Sequence, residues 1–500
     1  MDISMMVSYA IYGVFALLAI IGLVAGISRG IRRQLIRTVT VAASAVIAFV
    51  VTLALKGSLL SAVEGKTLAD LIRTAGMALP EGAWYGAIGA DALKSLLALS
   101  AGVVLLPLIF VSLFVLISGI MLIVHKIICG IIGFTRKANS GFTRLLGMIV
   151  GAVQGAAVAF IIMLPVFSLV TSFSYTVGYT KENYADKNNA QVLITAYDGY
   201  LCQVDDNIIY KLTYPVTEAL SAKLATFDMN GDGEVTDARE SLDTAVDVLV
   251  NIGELSATDW SKLNSNDKAA LNKIVDSVSD DRLMAGVISG ALSAFGEYIT
   301  ANGDIIPFEE PMKGFATSYL SVLATCDKDT LSADLHTTLD IYYLLSDSNA
   351  LSGLAGGGEL LSCFLAKDAS GKTLYARLEA TLDGNPRMAS VASAVNNLAV
   401  SMLLDKNNSD LTTDTAVEGI KEGLTDTLAI DRNSFGTEEE YRASVSESLK
   451  ATLDENHVQM TDEQLEFMTD YVINDMAGKS EVTDADLADF MSKYYEVYAE

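Results

Sequence analysis

The sequence predicts an all-α protein, in which a four-helix transmembrane N-terminal unit precedes a mostly helical, acidic extracytoplasmic domain. Long charge-free stretches, an uneven charge distribution and helix start signals with few prolines together predict this class. The 500 residues are 51% hydrophobic yet carry a net charge of -27. Residues 1–170 hold 12 basic and 5 acidic residues, so they carry +7 and residues 171–500 carry -34. This negative charge repels phosphate backbones, and we expect no nucleic-acid partner.

Four charge-free stretches predict the membrane spans, because about 20 helical residues cross a ~30 Å hydrocarbon core. They cover about residues 7–27, 38–55, 102–124 and 145–170. The first is not a cleaved signal peptide, since its basic residues follow the apolar core. Loops 28–37 and 125–144 each carry four basic residues and no acidic ones. The positive-inside rule places both loops in the cytoplasm, and therefore the N-terminus and residues 171–500 outside it.

The outer half is expected to begin with a polar stalk over residues 171–195, followed by an acidic helical domain over 196–500. Capping boxes that start at Thr437 and Thr461 predict two of its helices. Similar short segments favour an internal duplication of residues 235–300 and 330–405. Chance similarity between helices rich in alanine, valine and serine explains the resemblance equally well.

Glycines recur at every fourth position in the first and last predicted spans, as Gly22, Gly26 and Gly30 and as Gly147, Gly151 and Gly155. Such faces allow helix backbones to approach closely in a membrane. The contact forms either within one chain or between the chains of a homo-oligomer. No Asp, Glu, Lys, Arg or His lies inside the four predicted spans. Proton- and ion-coupled carriers need such residues, so this composition counts against that class.

Two segments resemble the Arg-Gly motifs of the colicin V production (CvpA) family. They are residues 26–33, GISRGIRR, and residues 144–155, RLLGMIVGAVQG. The resemblance covers about residues 1–172 and implies a multi-pass protein of the bacterial cytoplasmic membrane, active in colicin V-type toxin production or export or in envelope homeostasis. Thr143 stands where the family often has an acid, and Gln154 where it often has a base.

One loop predicts a metal site. Asp228, Asn230, Asp232, Glu234 and Thr236 match the opening of an EF-hand or dockerin-type calcium loop, with Gly233 at the sharp turn. Arg239 stands at position 12, where such a loop has a bidentate acid. A turn that leads into the next helix is the alternative. Calcium is the one cofactor that the sequence indicates, with weak affinity.

Catalytic signatures are sparse, and no residue is predicted to be catalytic. The outer half contains His336 and His457 but no HExxH or GxSxG motif. We therefore expect a non-enzymatic protein that presents its acidic domain to a protein or cell-wall partner, with the lipid bilayer as its other partner. A subunit of a transport or channel assembly and an anchored extracytoplasmic enzyme are the alternatives.

The calcium hypothesis predicts that millimolar calcium raises the melting temperature of the full chain, because a ligand selective for the native state stabilises it. Replacing Asp228 and Asp232 together with alanine should abolish the shift. Glu234→Gln should keep it, since position 7 of such a loop contributes a main-chain carbonyl. Equal shifts in the wild type and the double variant would show charge screening instead of a site.

Overall fold

The computed structural model describes residues 3–80, 83–131, 141–229, 233, 235–302, 306, 312–348, 350, 364, 367–404 and 413–498. Helices make up 82% of the structure, which confirms the all-α prediction. In chain order they are α1 Ile3–Ser61, α2 Leu68–Thr74, α3 Ala90–Ser100, α4 Leu106–Ile131, α5 Gly141–Tyr184, α6 Asn188–Tyr200, α7 Cys202–Asp205, α8 Ile208–Ala225, α9 Glu240–Glu254, α10 Ser265–Asp280, α11 Arg282–Ala301, α12 Met312–Ala324, α13 Leu331–Asp347, α14 Leu374–Asp383, α15 Ala389–Leu404, α16 Thr413–Thr427, α17 Glu438–Glu455, α18 Asp462–Asp475 and α19 Asp484–Tyr498. Strands β1, Thr226–Asp228, and β2, Val235–Asp237, pair antiparallel.

Four helical segments among the described residues are long and apolar enough to cross a membrane: Met5–Ser61, Ala90–Ile127, Gly141–Tyr184 and Arg282–Ala301. The first contains both the first and the second predicted spans. The next two contain the third and fourth predicted spans, and a π-helical turn over Ala101–Leu105 joins α3 to α4. The last, α11, lies in the acidic half, where no span was expected.

Helix α1 is a pair of helices that reverses direction at Gly30. This glycine has φ 72° and ψ 168°, a conformation that is essentially restricted to glycine. Before it, the ring of Phe15 lies 6.4 Å from that of Phe167 in α5. After it, Gln34 bonds Gln154, and further along the helix Ala48 joins a buried cluster with Leu164. The first half therefore runs antiparallel to α5 and the second half runs parallel to it.

The chain packs as two compact units, and their boundary differs from the division at residue 170 that charge predicts. The first unit comprises Met1–Glu254 and Asp276–Gly290, and the second comprises Leu255–Val275 and Ala291–Glu500. Helix α5 continues without a break through residues 171–184, where a stalk was expected, and contains Pro165 in its interior. Some of the polar side chains that indicated a stalk are buried, and that of Thr180 bonds the helix backbone.

The second unit has its own hydrophobic core, built by the helices after α11. Its largest fully buried side chains include Tyr375, Phe490 and Tyr495. Both predicted capping boxes are confirmed, since Thr437 and Thr461 cap α17 and α18. The proposed duplication of residues 235–300 and 330–405 stays a prediction, because helices occupy both segments and helical structure alone does not distinguish a copy from a coincidence.

A buried ion pair fixes the start of α15 against α13 in this unit. Asp334 is fully buried, and its Oδ2 accepts a hydrogen bond of 2.9 Å from Nε of Arg387. Nδ2 of Asn385 donates to the same carboxylate at 3.1 Å. The carboxylate is therefore compensated by both a positive charge and hydrogen bonds, as a buried ion requires.

Candidate functional site

The glycine-lined contact between α1 and α5 brings the two helix backbones into direct contact. A Cβ atom on Gly22 would lie 2.0 Å from the carbonyl oxygen of Gly151, and one on Gly26 would lie 1.9 Å from that of Gly147. On the facing helix, a Cβ on Gly155 would lie 2.1 Å from the carbonyl oxygen of Leu18. Any side chain at these positions would overlap a backbone atom, so the contact requires glycine.

The structure brings all six of the predicted glycines together within one chain. Gly30 closes the row, since its backbone lies 2.7 Å from a Cβ built on Gly147. Because the two helices run antiparallel, the four-residue spacing on each one places glycine opposite glycine over two turns. Close backbone approach increases the van der Waals contact that drives helix association in lipid. These faces are therefore occupied inside the chain.

A buried hydrogen-bond network crosses the same helices beside the glycines. Nε2 of Gln34 donates to Oε1 of Gln154 at 2.6 Å, and Oγ1 of Thr38 donates to the same oxygen at 3.2 Å. The Gln34 side chain is 1% exposed and that of Gln154 7%. The sequence drew attention to Gln154 but not to its partners. Gln34 and Thr38 are four residues apart and so share a helix face, which is the signal that could have identified them.

The arginines of the predicted first loop lie at the turn of the α1 hairpin. Arg29 precedes Gly30, and Arg32, Arg33 and Arg37 follow it within two helical turns. Nη1 of Arg29 and Nε of Arg37 are shielded from solvent and have no hydrogen-bond partner within the described protein. The turn is thus a concentrated positive charge at one end of the helix pair.

A polar cluster surrounds Asp247 at the opposite end of α5. The Asp247 carboxylate accepts hydrogen bonds from the hydroxyls of Tyr179 at 2.8 Å, Tyr184 at 2.7 Å and Ser277 at 3.3 Å. Burial raises the pKa of the neighbouring Asp243 to about 6, and the charges of Asp247 and Glu240 act in the same direction. These bonds attach α9 of the acidic segment to the end of α5.

The predicted calcium loop joins the two strands. Asp228 and Val235 pair at its base, and Thr236 pairs with Phe227. The Gly233 N–H donates to Oδ2 of Asp228 at 3.1 Å, and Gly233 has a φ of 86°, which favours glycine. The candidate ligands Asn230, Asp232 and Glu234 lie outside the described residues.

Arg239, at position 12 of the calcium-loop pattern, is used in another way. Its guanidinium donates to Glu218 at 2.8 Å and to Asp237 at 2.6 Å. Position 12 of the loop pattern is therefore occupied by a cation that pairs with carboxylates of the protein, and not by an acid that could bind calcium. Within the described part of the chain, no three histidine, cysteine or acidic side chains form a group that could hold a metal ion.

Two of the cysteines, Cys202 and Cys326, form no disulfide in the described structure. Cys326 is 6% exposed, and burial raises the pKa of its thiol to about 11. A thiol that stays protonated at neutral pH is a poor nucleophile.

Comparisons of the chain with protein-family models, with curated proteins and with solved structures found no match. The resemblance to the colicin V production family therefore stays a prediction based on residues 26–33 and 144–155.

Replacing Gly151 with leucine should break the contact between α1 and α5, because the new side chain would overlap the Gly22 carbonyl. Overpacking commonly costs about 1–3 kcal/mol, and we expect a loss of at least this size, measured as a lower unfolding midpoint of the full chain in detergent. Gly119→Leu is the matched control, since nothing lies within 4 Å of a Cβ at Gly119. Equal losses in the two variants would contradict the assigned contact.

Asp243→Asn should stabilise the protein at neutral pH and have less effect at acid pH. The folded state holds a proton on Asp243 more tightly than the unfolded state, since burial raises its pKa to about 6 from the ordinary aspartate value of 3.8. Its stabilising contribution is therefore present below about pH 4 and is lost as the pH rises through 6. Thermal melts at pH 5 and 7.5, with the exposed Asp280→Asn as control, measure this. The prediction would be refuted if Asp243→Asn changed the melting temperature by the same amount at both pH values.

Proposed function

We propose that this chain is a non-enzymatic integral membrane protein of the kind that its resemblance to the CvpA family implies. Its glycine-packed helices hold an acidic helical surface outside the cytoplasm, where a protein or cell-wall partner binds. On this proposal, the protein serves toxin production or export or the homeostasis of the envelope. It acts by positioning a partner and catalyses no reaction.

The continuity of α5 is the observation that carries this proposal. Its 44 residues make a helix of about 66 Å at 1.5 Å per residue, roughly twice the thickness of the hydrocarbon core. The glycine contact at Gly147–Gly155 holds one end, and the tyrosines that bind Asp247 lie near the other. One continuous helix therefore links the membrane helices to α9, a helix of the acidic segment.

The glycines pack against each other within one chain. This favours the proposal over the alternative that the chain is a subunit of a channel or transport assembly. That alternative relied on glycine faces that are free to pair between chains. Here Gly22 and Gly26 already contact Gly151 and Gly147. The buried amides of Gln34 and Gln154 also bond each other, so they contribute to helix packing within one chain.

The net charge of -34 over residues 171–500 defines the chemistry of the partner. An acidic surface repels anionic lipid headgroups and nucleic acids, and it attracts basic proteins and cations over about a Debye length. We therefore propose a basic surface on the partner, with binding that weakens as salt rises.

Cysteine labelling in intact cells tests the arrangement, in a chain whose native cysteines are replaced. Cysteines at Ser61 and at Lys450 should react with a membrane-impermeant maleimide, because both positions are exposed and the proposal places them outside. A cysteine at Lys126, also exposed, should react only after permeabilisation. The reverse pattern would place the acidic helices in the cytoplasm and overturn the proposal.

A further inference from the structure

Helix α8 has an exposed face that is apolar, which is unusual for a helix expected in an acidic, water-facing domain. Ile208, Leu212 and Val216 are 61%, 76% and 54% exposed. They recur at every fourth position, and Pro215 and Ala219 are exposed on the same side. The exposed apolar stripe of α8 therefore extends over about three turns.

The opposite face of α8 is buried, and two of its three charged residues lie along one edge between the two faces. Tyr210, Thr217 and Leu224 belong to the buried face. At 100° per residue, Lys211 and Glu218 lie close together on one side of the exposed stripe. Both are paired, Lys211 with Asp206 at 2.9 Å and Glu218 with Arg239 at 2.8 Å. The third charged residue, Lys223, is exposed on the same side as the stripe but lies about one turn beyond its last residue, Ala219. Along the stripe itself the charges lie at the margin, whereas a helix at a protein–water surface has them on the outward face.

Contacts at the start of α8 attach it to the ends of two membrane helices. Nδ2 of Asn207 donates to Oγ of Ser8 at 2.8 Å, and the Ile208 N–H donates to the Tyr12 hydroxyl at 3.4 Å. The ring of Tyr210 lies 5.4 Å from that of Phe167 in α5. Ser8, Tyr12 and Phe167 all belong to charge-free stretches of the sequence.

The far end of α8 is attached to the other half of the α1 hairpin. Nζ of Lys56 donates to the carbonyl oxygens of Lys223, at 2.8 Å, and Thr226. Leu224 lies in a buried cluster with Leu60 and Leu106. Both ends of α8 are therefore held by membrane-spanning helices, at the end of the bundle opposite the arginines.

These contacts fix the depth of α8. Tyr12 lies five residues inside the stretch that begins at Val7, which is about 7 Å along a helix. Helices that lie in a membrane interface bury their apolar face about 5–10 Å into the boundary between headgroups and acyl chains. The exposed stripe also continues the outer surface of the first span, where Tyr9 and Leu17 are 61% and 59% exposed.

We propose that α8 is an interfacial membrane helix, and that lipid acyl chains cover its stripe of Ile208, Leu212 and Val216. The charged edge would then face the headgroups and water, which agrees with the ion pairs of Lys211 and Glu218. Lipid is the occupant because the anchoring residues place the stripe at a depth where the bilayer surrounds the bundle. The inference holds on whichever side of the membrane this end of the bundle lies.

Fluorescence quenching in lipid nanodiscs tests the proposal on the full chain. An environment-sensitive fluorophore is attached to single cysteines in a background without native cysteines, as Leu212→Cys on the stripe, Lys211→Cys on the edge and Leu17→Cys on the first span. Lipids brominated on the acyl chain should quench the labels at 212 and 17 several-fold more than the label at 211. Aqueous iodide should quench in the reverse order. Val216→Cys gives a second reporter on the stripe.

Two results would overturn the proposal. Strong iodide quenching at 212 and 216, equal to that at 211, would show that the stripe faces water. Protection of 212 and 216 from both quenchers would show that protein covers it, as in a contact between two copies of this chain. Neither result depends on the sidedness tested by cysteine labelling in cells, so failure here is distinguishable from failure of the proposed function.

Discussion

Direct backbone contact between α1 and α5 is the constraint on which the rest of the first unit depends. Where two helices touch without side chains between them, their register is fixed to one residue, since a shift in register brings a Cβ atom against a carbonyl oxygen. This register places Gln154 opposite Gln34 and Phe167 opposite Phe15. Six glycines thus fix a packing geometry that side-chain contacts alone would leave variable.

The same contact explains why the α1 hairpin turns within so few residues. Gly30 adopts a conformation that other residues avoid, so the chain reverses without a loop and both of its helical halves pack on α5. Such a turn also confines four arginines to one end of the helix pair. In a bilayer their charge must remain at the polar boundary, which gives the bundle a fixed polarity along its axis.

Much of the membrane part could be predicted from the sequence, because its signals are local. Stretches without charge predict helices in lipid, and glycines at every fourth position predict a close contact. Residues 171–184 show a limit of local reading. Thr171, Thr180 and Tyr184 are polar in sequence, yet all three are buried; the two threonines bond the helix backbone and the tyrosine bonds Asp247. The exposed apolar stripe of α8 was also not predicted. Apolar residues occupy two opposite faces of this helix, so its sequence has no simple apolar period. Gln34 lies in the segment that the charge pattern predicted to be a loop, and it comes beside Gln154 only because the chain turns at Gly30.

Pro165 gives α5 a property beyond its length. Proline has no N–H for the carbonyl four residues before it, so a helix bends more easily there than elsewhere. Gly151 and Tyr184 lie on either side of this point, about 20 Å and 30 Å away at 1.5 Å per residue. Pro165 is consequently the point at which the two parts of α5 can tilt against each other. A tilt of about 5° on one side displaces the Tyr184 end by roughly 2–3 Å over that length, enough to alter hydrogen bonds to Asp247. A bend in the middle of α5 is thereby coupled to the attachment of α9 at its end.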